Sequence, residues 1–360
     1  MKSSVVTSSS VQLMDVPLIK KSATKSKVNN ETQIVWRNVI AFIYLHVAVA
    51  YAIYLAFTKA KVQTVIFSFI LSNVSGLGIT AGAHRLWAHK AYKARWPLRL
   101  FLACLQTIAF QNHIYEWVRD HRAHHKFSET DADPHNAKRG FFFSHIGWLM
   151  VRKHRDVIEK GASVDMSDLK KDPIVMFQKK YYFLIMPMIS FVIPTLIPMA
   201  LWNESLSVSW HIASILRYTY SLHCTWLVNS AAHIFGNKPY DRHIGPTENK
   251  LVAILAVGEG WHNYHHVFPW DYKAAELGNY RTNISTALID LAYKCGLAYD
   301  LKTVPSHLIE ARVSRTGDGT HPSEMKKLEH QEDHHHLNPI WGWDDKDMTE
   351  EHKKLAKIIE

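Results

Sequence analysis

The chain has 360 residues, 47% of them hydrophobic, and carries 42 Lys and Arg against 32 Asp and Glu, a formal charge of +10. Its three cysteines, Cys104, Cys224 and Cys295, form no C-x-x-C pair, which excludes a disulfide framework, a thiolate zinc site and an iron–sulfur cluster. The positive balance points to an anionic partner such as a membrane surface or a phosphorylated substrate, and the 24 histidines are the second departure from ordinary composition.

Residues 1–34 form a polar, Ser-rich and basic tail in which no cleavable apolar signal core follows Met1, so membrane targeting is expected from internal segments. Four later stretches are long and apolar enough to cross a hydrocarbon core, which takes about 20 helical residues. They run over Val39–Phe57, Val62–Thr80, Tyr181–Trp202 and Val208–Val228. Short turns at Lys59–Lys61 and Asn203–Ser207 join them into two hairpins. Pro187, Pro194 and Pro198 fall in the third stretch, where a membrane helix tolerates them. His211, Arg217 and His223 interrupt the fourth, and such residues are expected to face protein or a polar cavity.

Between the hairpins, His84 to Lys180 holds 18 Lys and Arg against 10 Asp and Glu, a net of +8. By the positive-inside rule this segment and both termini are expected on the cytosolic side, and four spans return the chain to that side. Because the charge gathers beside apolar spans, nucleic-acid binding is set aside. Two shorter apolar stretches, Pro97–Phe110 and Leu251–Val257, read as interfacial or core-packing helices. Residues 316–360 read as a charged, solvated tail, its run His334–His336 included.

Three histidine boxes carry the chemistry. His84 and His89 lie in H-R-L-W-A-H, His121, His124 and His125 in H-R-A-H-H, and His262, His265 and His266 in H-N-Y-H-H. Positions i, i+3 and i+4 of a helix share one face, so each H-x-x-H-H presents three imidazoles together. His84 and His89 are five apart, would splay on a regular helix, and need a helix end or a distortion to converge. Eight imidazoles exceed the positions around one ion, so the set implies two metals. His233 in N-S-A-A-H is a ninth candidate, and Asn229, one turn earlier, is placed to hold a metal-bound water. Imidazole suits Zn, Cu, Fe and Ni alike. An all-nitrogen pair beside a membrane fits oxygen activation better than zinc hydrolysis, and the lone Glu259-x-x-His262 is too little for a soluble carboxylate-bridged bundle.

Around these boxes the sequence resembles the integral-membrane acyl-CoA desaturases of the stearoyl-CoA desaturase group, insect members above all. The resemblance runs over roughly Thr32 to Thr320 and includes T-A-G-A-H-R-L-W-A-H, E-W-V-R-D-H-R-A-H-H-K-F-S-E-T-D-A-D-P-H-N, N-S-A-A-H-I-F-G and G-E-G-W-H-N-Y-H-H-V-F-P-W-D-Y. It implies an all-α integral membrane protein with four transmembrane helices and a cytosolic helical cap holding a dimetal site. The desaturase domain would cover 35–315, with its cap at 84–180 and 229–315. Two Fe2+ ions would be held by the eight box histidines and His233, with Asn229 binding through water. The CoA head group would meet Asn38, Asn112, Arg119, Asp120, Arg152 and Lys153. The acyl chain would bend beside Gln111, Thr225 and Trp226 and end near Ser72 and Gly76, where vertebrate relatives carry a bulky aromatic and a small residue. A smaller plug there favours a longer chain.

The implied reaction removes two hydrogens from an acyl-CoA, with O2 as oxidant and Δ9 as the preferred position, Δ11 remaining open. Glu116, Asp120 and Asp133 are candidates to orient histidine rings. The chain has no flavin or nicotinamide fingerprint, so electrons must come from a partner, for which the family implies cytochrome b5 and its reductase in the endoplasmic reticulum membrane. The implied setting is fatty acid biosynthesis, with pheromone biosynthesis as an insect variant. The rival is a histidine-box membrane hydroxylase or monooxygenase.

Overall fold

A computed structural model describes residues 32–325, so most of the N-terminal tail and residues 326–360, His334–His336 among them, lie outside the described residues. Helix α1 spans Trp36–Thr58. Only Ala48, Ala52 and Leu55 of it are buried, while Ile40, Ile43, Val47 and Phe57 are exposed. A helix apolar all round with so little buried surface is built to meet lipid. Helix α2 runs Val62–Ala88 without interruption and buries Thr64, Ser68, Ser72 and Ser75 along one stripe. Small side chains there let neighbouring backbones approach, and Ser68 Oγ donates to the Ile212 carbonyl at 2.9 Å.

Helix α3 (Trp96–Ala109) buries Leu98, Leu102 and Leu105 and exposes Trp96, Leu100 and Phe101, so it is amphipathic as its sequence predicted. Helix α4 (Ile114–Phe127) follows, capped by the His113 side chain. Short helices α5 (Phe141–His145), α6 (Arg155–Ala162) and α7 (Ser167–Lys171) lead to α8. Helix α8 runs Pro173–Trp202, starting eight residues earlier than the apolar run because Asp172 caps it and Pro173 takes its first position. Helix α9 covers 206–229. Beyond it lie α10 (Ala231–Ile234), α11 (Lys250–Leu255), α12 (His262–Val267), α13 (Ile284–Lys294) and α14 (Ser306–Thr316). One small antiparallel pair, β1 (Lys93–Ala94) with β2 (Ala298–Tyr299), completes a mostly helical fold.

Among the described residues three helices, α1, α2 and α8, are long and apolar enough to cross a membrane, not four. Helix α9 has the length, but its histidines, Arg217 and many hydroxyl residues dilute its apolarity. The two short turns are tied together by Glu204, whose buried carboxylate accepts from Lys61 N at 2.9 Å, Thr64 Oγ1 at 2.6 Å and Ser205 N at 3.1 Å.

Arg217 faces protein, is 1% exposed, and has no carboxylate partner in its bonds. Its Nη2 donates to Ser190 O at 2.5 Å and its Nη1 to Ile108 O at 2.9 Å. Both carbonyls are ones the chain itself orphans. Pro194 has no N–H to return to Ser190, and Ile108 lies in the last turn of α3. The guanidinium thus binds three helices through acceptors that hydrocarbon could not satisfy. Arg217→Met is expected to cost about 2–4 kcal/mol by leaving two buried acceptors unpaired. Thermal unfolding in detergent checks this, and an unchanged melting temperature would show that the carbonyls find other donors.

Candidate metal centre

The five-residue spacing of His84 and His89 is resolved by a distortion of α2. Gly78–Ala88 is a π-helix, and His89 N donates to His84 O at 3.1 Å. A ladder that closes every five residues returns residue i+5 to the same side. The wide turn is accommodated by glycine, since a Cβ on Gly78 would lie 2.1 Å from Gln106 N and 2.4 Å from the Leu105 carbonyl carbon of α3.

The nine histidines gather into two nests. His84, His89, His121, His125 and His265 form one, and His124, His233, His262 and His266 the other, each set offering nitrogens within 4.8 Å of one another. Each H-x-x-H-H box is therefore divided. From α4 the i, i+4 pair His121 and His125 serves the first nest while His124 serves the second. On α12 the division reverses, with His262 and His266 in the second nest and His265 in the first. The face that the spacing puts three rings on is a ridge between two sites, and its two slopes belong to different nests.

Within the nests Nε2 atoms face one another, at 2.9 Å for His84 and His265, 2.8 Å for His89 and His121, 3.0 Å for His125 and His265, and 3.1 Å for His233 and His262. Burial first, and the neighbouring histidines second, hold His89, His121, His125, His262, His265 and His266 well below the usual imidazole range. They are neutral at pH 7. His124 Nδ1 donates to Asp133 Oδ1 at 2.9 Å, which leaves its Nε2 as a lone pair pointing at His266 Nε2, 3.3 Å away. Converging neutral nitrogens with few protons between them form a site for cations, so the residues present fit a histidine-bound metal in each nest.

The groups that orient the rings differ from those expected. Asp133 does so, and burial, which pushes its carboxyl up, is outweighed by His124, His135 and the Glu129 amide, which hold it far below the usual carboxylate range. Glu116 and Asp120 do not; they pair with Arg119 and Lys153, at 3.1 Å for Glu116–Arg119 and 2.5 Å for Asp120–Lys153. The sequence reading weighed Glu259 only for its spacing to His262 and missed its role beside His84: its Oε2 lies 2.8 Å from His84 Nδ1 while its Oε1 accepts from the buried Arg85. It also missed Glu129, 3.9 Å from His233 Nδ1, and His135, whose ring packs at a tilt against that of His124 with centroids 4.4 Å apart. The signal was present. In H-R-L-W-A-H and H-R-A-H-H alike an Arg follows the first histidine, and both arginines act as clamps behind the nests.

Arg122 is the second clamp. It donates to Trp87 O and Ala88 O of α2 and forks onto Asp168 of α7 at 2.9 and 2.7 Å. Burial pushes the Asp168 carboxyl up, but Arg122 and then Lys90 prevail and hold it at about 2. Because the folded value is depressed, the stability this pair adds is fully present above the unfolded value of about 4 and is lost as pH falls toward 2. In metal-free protein the melting-temperature gap between the parent and Asp168→Asn should be constant above pH 5 and close below pH 4. A gap that closed near pH 6 instead would place its origin in another group.

Two cavities meet at the first nest. One is lined by Ser72, Gly76, Tyr220, Thr225, Asn229 and the histidines 84, 121, 124 and 262. The other is lined by Phe42, Gln111, Asn112, Asp120, Thr225 and Trp226. Trp117, His121, Thr225 and Asn229 line both, and Gln111 Nε2 donates to Thr225 Oγ1 at 2.8 Å across this junction. The residues expected around a head group are less gathered. Asn112 and Asp120 reach the second cavity, Asn38 Nδ2 donates to Leu149 O, Arg119 lies beside Tyr115 and Lys170, and Arg152 and Lys153 line a separate cleft.

Fold and site together define a helical membrane protein built around two histidine nests able to hold metal. The Fatty acid desaturase family model matches residues 60–280. An Acyl-CoA Delta-9 desaturase of Acheta domesticus is 62% identical over 91% of this chain and 87% of its own. An Acyl-CoA Delta12-desaturase of the same insect is 57% identical over 92% and 88%, and an Acyl-CoA Delta(11) desaturase of Trichoplusia ni 51% identical over 90% and 88%. The chain belongs to the fatty acid desaturase family and is an oxidoreductase of lipid metabolism.

Proposed function

We propose that the chain is an acyl-CoA desaturase that places a double bond, Δ9 by preference, in a saturated fatty acyl-CoA. The observation that carries this reading is the junction of the two cavities at the first nest, where one wall holds His84 and His121 and the other Thr225 and Gln111. The relatives differ in bond position at similar identity, and the Delta-9 enzyme's 62% is what favours Δ9.

In this reading 35–315 is the catalytic domain, with charged tails at 1–34 and 316–360. Helices α1, α2, α8 and α9 span the endoplasmic reticulum membrane, the N–H groups of Arg217 being bonded to carbonyls rather than exposed to lipid, and both termini are cytosolic. The cap lies over the cytosolic leaflet. His84, His89, His121, His125 and His265 hold one Fe2+, and His124, His233, His262 and His266 hold the other with Asn229 through water. The metal pair, when bound, supplies the redox chemistry that reduces O2. This chain's residues do the rest. Asn38, Asn112, Arg119, Asp120, Arg152 and Lys153 hold the head group, Gln111, Thr225 and Trp226 set the bend, and the cavity ending at Ser72 and Gly76 receives the tail. Which methylene lies beside the nests fixes where the double bond forms. The balance is one saturated acyl-CoA, O2, two electrons and two protons giving one monoene and two waters. Cytochrome b5 and its reductase supply the electrons.

The test is expression in yeast lacking its own desaturase, with lipids profiled by mass spectrometry after derivatising double bonds. A monoene is expected, absent with His125→Ala, and its bond position decides Δ9 against Δ11 or Δ12. A hydroxylated product would replace this reading with a monooxygenase. A metal-loaded protein that, given an electron donor, leaves the lipids unchanged would defeat both.

A further inference from the structure

Three histidines outside the nests form a separate line across the wall of the second cavity. His46 is on α1, His223 on α9 and His145 on α5. His46 Nδ1 lies 2.6 Å from Phe42 O, His46 Nε2 3.2 Å from His223 Nε2, His223 Nδ1 2.9 Å from His145 Nε2, and His145 Nδ1 3.0 Å from Ser230 Oγ. The protons of this line are determined by its end. A carbonyl only accepts, so His46 carries its proton on Nδ1 and offers Nε2 as an acceptor. His223 must then donate from Nε2 and accept at Nδ1. His145 in turn donates from Nε2, which leaves its Nδ1 as an acceptor facing the Ser230 hydroxyl. Both imidazole–imidazole links are thus satisfied, and at the far end the single Ser230 proton has two acceptors, His145 Nδ1 and the Trp226 carbonyl at 2.8 Å. The contacts of the three rings include no charged side chain, and His211, the other ring of α9 facing α1, packs on Tyr51 instead.

The line encloses Trp226. Its ring meets those of His223 at 5.2 Å, His145 at 5.7 Å and Phe42 at 5.6 Å, all edge to face. Phe42 and Trp226 are themselves the wall of the cavity. The three imidazoles therefore tie α1, α9 and the α5 cap segment together behind the two aromatic side chains that border the acyl path.

We propose that His46, His223 and His145 are positioning residues, a neutral imidazole chain that fixes Phe42 and Trp226 and thereby the register of the acyl chain against the nests. This rests on the desaturase reading above.

The test compares the parent with His223→Leu and His223→Gln in yeast membranes, reading metal content, kcat, KM and the ratio of double-bond positional isomers. Gln, with one donor and one acceptor, can replace both links of His223. With metal content unchanged, His223→Leu is expected to lower kcat roughly tenfold or more and raise the share of minor isomers. His223→Gln restores both. Metal loss at the nests lowers the amount of product but leaves the isomer ratio alone, so the ratio isolates the chain. An isomer ratio identical in all three proteins overturns the proposal. A parent that makes no monoene at all strikes the desaturase reading instead.

Discussion

His89→Ala and His233→Ala are each expected to abolish desaturation and to lower the bound metal from two ions per chain to one, the double variant holding none. The reasoning is the division of the boxes. His89 belongs only to the five-membered nest and His233 only to the four-membered one, so neither loss reaches the other site. Both rings lie among nitrogens that face each other at about hydrogen-bond distance, and the carboxylate beside His233, Glu129, meets the Nδ1 side of the ring rather than the Nε2 that faces His262. The activity loss should exceed the roughly 10–100-fold that outer groups cost. Asp133→Asn marks that lower scale. It removes the charge that keeps His124 Nδ1 protonated but leaves every nitrogen in place, so both ions should remain bound with activity down about 10–100-fold. Metal analysis of purified protein with an activity assay on the same sample decides the matter. If His89→Ala emptied both sites together, the nests would be one cooperative cluster rather than two.

Much of this centre is legible in the sequence, for a local reason. Spacing within a helix fixes which side chains share a face, and H-x-x-H-H states this directly. Which slope of that face meets which partner is a tertiary fact, so the exchange of roles between α4 and α12 could not be read from either box. The same limit explains the carboxylates. Glu116 and Asp120 sit within a turn or so of His121 and were expected to orient rings, but Arg119 and Lys153 hold them. Glu259 does that work for His84 from 175 positions away in the sequence. The convergence of His84 with His89 was legible only as a requirement. Its solution, a π turn, depends on α3 packing against Gly78 and Gly82. Helix α9 shows the converse. Its polar residues lower its apolarity enough to obscure a span, yet Arg217 is where Pro194 and the end of α3 need donors.

Gly76→Phe is expected to move substrate preference toward shorter acyl chains, by an amount that burial of methylene groups sets. Gly76 and Ser72 line the first cavity from α2, on the stripe that α2 turns inward. A Cβ on Gly76 would meet only Val257 Cγ2, at 3.9 Å, and the helix there has ordinary backbone angles, so a larger side chain is accommodated without moving the backbone. It can project only into the space that the tail of the acyl chain would fill. Each methylene excluded from an apolar cavity forfeits about 0.8 kcal/mol, roughly fourfold in affinity. Loss of two methylene positions should therefore lower the preference for an 18-carbon over a 16-carbon chain by roughly tenfold or more, while the shorter chain is turned over at near the parent rate. The bond position should not change, because Gln111, Thr225 and Trp226 at the other side of the nests are untouched. Competition between saturated acyl-CoAs of 14, 16 and 18 carbons, with products resolved by length and bond position, measures all three expectations. A preference left unchanged by Gly76→Phe would mean that the tail lies elsewhere. A change in bond position without a change in length would mean that this end of the cavity receives the head of the chain, and the direction of threading would have to be reversed.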